Sequence, residues 1–150
     1  KAVEAGASRI VFFPAARSVT KLSGDKLTKR LEKLRATAVS ACEQCGRSRI
    51  PEIETFASAE AMLSGLNADA RVILAPSSDP GLALGAARSV VFAVGPEGGF
   101  SEEELTLADG AGWTRGLLGP RVLRTETAGL VAIACANAVS GDYDITGSRA

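Results

Sequence analysis

Two short stretches set charged side chains among glycines and prolines, and their residue types limit what they can do. The first is Val94-Gly95-Pro96-Glu97-Gly98-Gly99-Phe100. The second is Leu118-Gly119-Pro120-Arg121-Val122-Leu123-Arg124-Thr125-Glu126-Thr127-Ala128. A third, plainer loop, Leu74-Ala75-Pro76, precedes a turn rich in serine and proline. Glycine serves where φ must be positive or where a ligand comes close to the backbone. Three such loops would offer backbone N–H and C=O groups and few charges besides Glu97, Arg121, Arg124 and Glu126. That suits a neutral heterocycle held by backbone hydrogen bonds, a nucleoside-like ligand, with an attached group near the acids.

The first loop departs from the common phosphate cradles. A P-loop needs Gly-Lys-Ser/Thr after its glycines, and Gly99 is followed by Phe100. A dinucleotide fingerprint needs G-x-G-x-x-G, and the spacing of Gly95, Gly98 and Gly99 breaks it. Glu97 and the run Glu102-Glu103-Glu104 would repel a phosphate. The expected ligand is therefore cationic or neutral at this point.

Such loops need rigid elements behind them. The apolar run 89–94 reads as a buried strand leading into the glycine loop. Ser101 and Glu104 form a capping box for the helix that follows, with Phe100 and Leu105 at the staple positions. Strand, loop and capped helix make the usual ligand edge of an α/β sheet. Further strands are expected at 9–13, 50–53, 71–75 and 113–118. Helices are expected at 25–45, stopped by Gly46, at 58–66, and from Thr125 to about Ser140. The last is rich in alanine, which permits close packing or a helix-mediated dimer. Alternating strands and helices give an α/β class with a mostly parallel sheet and flanking helices. The chain opens on Lys1-Ala2-Val3-Glu4-Ala5-Gly6, which reads as the tail of a helix and suggests a fragment of something longer.

At 150 residues the chain is the size of one domain. Aromatic residues are only 5%, so the core is aliphatic. No stretch is long and apolar enough to span a bilayer, and nothing resembles a signal peptide. Net charge is zero, yet residues 1–50 carry eleven Lys/Arg against four acids, and residues 51–150 six against thirteen. A basic first half suggests a polyanion on that side. Cys42-Glu43-Gln44-Cys45 has C-x-x-C spacing, but it falls in a helical pattern with no second pair and no histidine, so no metal site is expected. Cys135, among alanines, reads as a small core residue. Free thiols fit a reducing cytoplasm.

The two glycine motifs, in this order and at this separation, resemble the RsmE family, 16S ribosomal RNA uridine-N3 methyltransferases of the SPOUT superfamily. Arg17-Ser18-Val19 and Glu43-Gln44-Cys45-Gly46-Arg47 are similar to that family as well, which commonly has Ser where Cys45 stands. The likeness covers nearly all of residues 1–145. It implies an α/β knot, with the C-terminal segment threaded through a loop as a deep trefoil, an exception to un-knotted topology. It implies one SPOUT methyltransferase domain over 1–150, without the family's N-terminal PUA-like RNA-binding domain. It implies a homodimer acting in the cytoplasm on 16S rRNA of the small ribosomal subunit, with neither membrane nor metal.

The implied cofactor is S-adenosylmethionine, bound by Leu74, Ala75, Pro76, Gly95, Pro96, Glu97, Gly98, Gly99, Leu118, Gly119, Pro120, Val122, Leu123, Thr127 and Ala128. Its sulfonium cation would tolerate Glu97. The implied catalytic residues are Arg124, Glu126 and Glu97, and the implied RNA contacts Arg17, Lys21, Arg47 and Arg121. With no histidine, the base that takes the uridine proton is Glu97, Glu126 or water. Two other functions share some of these features. A non-catalytic RNA-binding or ribosome-assembly module of the same fold would be expected to lose the glycine loop or Arg124-Thr125-Glu126, and both are intact. An enzyme using a nucleotide cofactor would lack the acids and carry a phosphate motif.

Overall fold

The computed structural model describes residues 1–19, 23–76, 81–82, 84–140 and 142–143. Its main sheet has three parallel strands in the order β4 (Val90–Val94), β3 (Ala70–Leu74), β5 (Thr114–Gly116). The middle strand carries Val72 and Ile73, neither of which has any exposed surface. Both of its faces are covered, as a parallel strand requires. Leu74 is level with Val94 and with Gly116, so the three strands end together. The loops that follow them therefore leave from one edge.

A second, two-stranded parallel sheet pairs β1 (Arg9–Phe12) with β2 (Glu52–Thr55). The single sheet implied by the alternation is thus two. They meet through Phe13, just past β1, which stacks on Phe100 with ring centroids 6.4 Å apart.

Helix α1 (Gly24–Cys45) joins β1 to β2 and buries Ala38 and Cys42 against Val3 and Ile53. Gly46 ends it in the left-handed region at φ 74°, where a Cβ would be strained. Ser58 caps α2 (Ala59–Gly65) through the Ala61 N–H. Met62 and Leu63 of α2 pack with Leu105 and Ala108 of α3 (Glu102–Gly110) under the main sheet. Helix α4 (Thr125–Ser140) lies against β4, and Ala132 is its one fully buried residue among those described.

Two strands differ from their expected limits. The segment expected at 50–53 pairs instead from Glu52, because Pro51 has no N–H to give a ladder and Ile50 stays exposed. The segment expected at 113–118 keeps only Thr114 to Gly116 in the ladder. The Trp113 N–H closes α3 on the Ala108 carbonyl, and its indole N–H donates to the Leu63 carbonyl. Leu117 turns away to exchange two backbone hydrogen bonds with Gly81. Residues 1–6 form hydrogen-bonded turns, with Gly6 at φ 99°.

Candidate active site

The site is built on the capping box that opens α3. The Ser101 side chain accepts from the Glu104 N–H, and a Glu104 carboxylate oxygen accepts from the Ser101 N–H at 2.9 Å. The other Glu104 oxygen accepts from the Ala16 N–H at 2.8 Å. Glu104 is only 6% exposed, so one buried carboxylate ties the helix start to the β1–α1 loop. Phe100 and Leu105, the staple pair, lie in the core on either side of it.

The same loop reaches the glycines. Arg17 donates from Nη1 to the Gly98 carbonyl at 2.8 Å. A Cβ on Gly98 would meet the Arg17 side chain at 3.4 Å. A Cβ on Gly95 would press the Phe100 ring at 3.1 Å. Gly99 and Gly119 have φ of 68° and 87°, and the space where their side chains would begin is open. These two leave backbone accessible to a ligand.

Charge around the loop is arranged to spare it. The Glu103 carboxyl is held below its ordinary pKa by its own backbone N–H and the Ser101 hydroxyl, with a smaller contribution from the Arg17 charge. Asp109 is lowered by Arg115, which grips it with two nitrogens at the far end of α3. Glu97 is exposed on the loop, and Glu126 and Arg124 are exposed where α4 begins.

One hydrogen bond joins the two motifs. The Thr125 hydroxyl donates to the Gly95 carbonyl at 3.0 Å. The Arg124 carbonyl accepts from the Thr127 and Ala128 N–H groups, which starts α4 at that point. Arg124, Glu126 and the Gly95–Gly99 loop are thereby brought to one place, although they lie far apart in sequence. Among the described residues Arg124 and Glu126 are not paired with each other.

With this geometry in hand, residues 1–137 match the RNA methyltransferase domain family. The chain belongs to that family. It is 34% identical over 155 residues to the ribosomal RNA small subunit methyltransferase E of Mycobacterium tuberculosis (strain CDC 1551 / Oshkosh), covering 98% of this chain and 59% of the relative. It is 37% identical over 147 residues to the protein of that name in Bacillus subtilis (strain 168), covering 89% of this chain and 56% of the relative. The chain thus spans somewhat over half the length of these relatives.

Two solved structures are similar in fold and sequence. One is a Legionella pneumophila protein in complex with bound S-adenosylmethionine, at TM-score 0.84 and 32% identity, covering 92% of this chain and 58% of that one. The other is a ribosomal RNA small subunit methyltransferase E from Neisseria gonorrhoeae bound to S-adenosyl methionine, at TM-score 0.79 and 34% identity, with the same coverage.

The residues expected from sequence sit as follows. Ala75 and Pro76 follow β3, Gly95 to Gly99 follow β4, and Leu118 to Leu123 follow β5, all at the shared edge. Thr127 and Ala128 lie in the first turn of α4. Val122 points its side chain wholly into solvent, while Leu123 is half-buried. Arg121 is exposed on the same loop as Val122. Arg17 stands against the glycine loop, closer to the expected cofactor contacts than an RNA surface would require. Arg47 is elsewhere: its guanidinium donates to the Val3 and Ala7 carbonyls and holds the N-terminal turn. Lys21 lies outside the described residues.

A cavity of about 510 Å³ opens beside Leu117, Leu118 and Gly119. Leu82 and Leu84 form one wall, and Val131, Cys135 and Val139 of α4 the other. None of these five carried a signal in the motifs. The Gly81 and Gly85 that flank the two leucines were the available clue. Cys135 is accordingly half-buried on a cavity wall rather than in the core as expected. The C-x-x-C pair ends α1, with Cys42 buried and Cys45 exposed, both free thiols. Among the described residues no three His, Cys, Asp or Glu cluster as a metal site would need, and no helix is long and apolar enough to cross a membrane.

Proposed function

We propose that the chain is the catalytic part of a methyltransferase that moves a methyl group from S-adenosylmethionine to N3 of a uridine in 16S ribosomal RNA. The observation that carries it is the Thr125–Gly95 bond, which unites both glycine motifs at one sheet edge in a member of an RNA methyltransferase family. The names of the relatives and the S-adenosylmethionine in two similar structures support the substrate and the cofactor. The residues present fit such a ligand. Gly99 and Gly119 leave room for it, the adjoining cavity is apolar and of a size that takes a nucleoside, and the loop acids suit a cation.

The cofactor supplies a methyl carbon on a positively charged sulfur, ready to be displaced. The chain supplies position. Backbone groups of the three loops hold the ligand, and the Arg17 and Thr125 contacts on the Gly98 and Gly95 carbonyls keep the middle loop from shifting. Orientation of this kind accounts for a large part of such rate enhancements. The uridine N3–H must lose its proton as the N3–carbon bond forms and the sulfur–carbon bond breaks. Glu97, Glu126 or water takes that proton, and Arg124 or Arg121 stabilises the negative charge on the uracil carbonyls or grips a flanking phosphate. The place of action is the cytoplasm, where ribosomal RNA is found.

The same proposal includes the C-terminal trefoil knot. It is supported by the Gly81–Leu117 pairing, which lays the loop after β3 across the loop after β5. It also includes a homodimer. After Glu126, α4 carries no charge to Ser140, yet nearly all of it is half-exposed, and Val139 is 68% exposed. An apolar helix left this open needs a partner. Sedimentation at micromolar concentration is expected to give twice the chain mass, and a monomer over that range would refute the dimer. For the cofactor, calorimetry is expected to detect S-adenosylmethionine and neither ATP nor NAD. Binding of a nucleotide with S-adenosylmethionine ignored would overturn the proposal.

A further inference from the structure

Helix α1 gathers four of its five cations on one face in a way that its packing does not require; the fifth, Arg35, lies on another side and donates to the Ile53 carbonyl. The helix's apolar face, Leu31, Leu34, Ala38, Ala41 and Cys42, is held against Val3, Ile10 and Ile53. At 3.6 residues per turn, Lys26, Lys29, Arg30 and Lys33 fall within an arc of roughly 100° on another face. All four are exposed, and among the described residues none is in an ion pair. The helix's acids, Asp25, Glu32 and Glu43, fall together on the adjoining side, with Asp25 and Glu32 one turn from Lys29. Glu4, from the N-terminal turns, shares a groove with Lys33 and is paired with the amino terminus.

The cations also sit toward the N-terminal end of the helix, and Lys26 lies in its first turn. They occupy its first three turns, and the last turn has no basic residue. Positive charge near a helix N-terminus opposes the macrodipole. Beyond Lys33 the same stripe continues with Thr37, Ser40 and Gln44, polar but uncharged. A solvated face kept for solubility would have no reason to load one end.

That end follows the strand edge that carries the site. β1 runs toward the glycine-loop edge, Phe13 stacks on Phe100, Arg17 bonds Gly98, and α1 begins at Gly24 and leads back to β2. We infer that Lys26, Lys29, Arg30 and Lys33 form a phosphate track for single-stranded RNA, leading the strand to Arg17 and the glycine loop. This deepens the function proposed above and rests on it.

The test uses the whole 150-residue chain with polyuridylate as probe. Binding is measured at several salt concentrations, beside calorimetry with S-adenosylmethionine. With all four cations changed to Gln, the slope of log K against log salt is expected to fall by about 3, from roughly 0.7 per phosphate contact on a single strand. Lys29→Gln alone should lower it by about 0.7. Cofactor affinity should stay level, and thermal stability should hold or rise, since charge opposing the dipole is gone. Arg49→Gln with Arg88→Gln, exposed cations away from this face, should leave the slope unchanged. An unchanged slope in the fourfold variant, an equal loss in the control, or equally tight binding of polyglutamate would overturn the inference. Failure of the unaltered chain to bind S-adenosylmethionine would instead overturn the methyltransferase proposal, and with it the site the track leads to, whatever the slopes.

Discussion

Replacing Glu104 by Ala is expected to cost about 3 kcal/mol of stability. Both carboxylate oxygens are engaged, by the Ala16 and Ser101 N–H groups, in a residue with 6% of its surface exposed. Removing the side chain takes the charged acceptor from two part-buried backbone N–H groups, at about 1.5 kcal/mol for each bond. Ser101→Ala removes only the reciprocal cap, and should cost about 1 kcal/mol. Urea unfolding of the two variants measures both. At this chain length the Glu104→Ala loss should lower Tm by about 10 °C. The release of Ala16 should also loosen Arg17 from Gly98, so cofactor affinity should fall more in Glu104→Ala than in Ser101→Ala. Equal stability of the two variants would mean that the link to the β1–α1 loop contributes nothing.

Gly119→Val is expected to weaken S-adenosylmethionine binding by about tenfold to a hundredfold while leaving the fold intact. Gly119 has φ 87°, a region closed to β-branched residues, and it lines the cavity beside β5. Strain of this kind is worth about 1–3 kcal/mol, and 1.4 kcal/mol is a factor of ten in affinity. The loop can escape the strain only by leaving the conformation that frames the site. Because Gly119 lies in an exposed loop, unfolding should change little. Gly98→Val acts by another route. Its φ is ordinary, and its Cβ would touch Arg17, so it should disturb the site by displacing the guanidinium. Calorimetry on both variants, with Arg17→Ala beside them, separates backbone strain from loss of the clamp. Undiminished binding in Gly119→Val would place the cofactor away from this loop.

Local chemistry was legible in the sequence because it is decided over a few residues. The Ser101–Glu104 box, the Phe100–Leu105 staple and the Gly46 stop were all readable, since each depends on spacing along one helix end. Alternating apolar runs also fixed the α/β class, because a buried parallel strand must be apolar on both faces. The tertiary structure alone decided what those features face. Arg17 was readable as a cation, but a hydrogen bond to Gly98 across 81 residues has no local signature. The second bond on Glu104 is similar: a capping glutamate has a spare lone pair, and only the packed loop supplies Ala16 to fill it. Arg47 shows the converse, a residue legible only as a cation whose guanidinium donates to the Val3 and Ala7 carbonyls. The cavity wall on α4 was hidden because Val131 and Cys135 look like any core positions on an apolar helix. Helical spacing tells which side chains share a face, whereas what lies opposite that face depends on where the rest of the chain has gone.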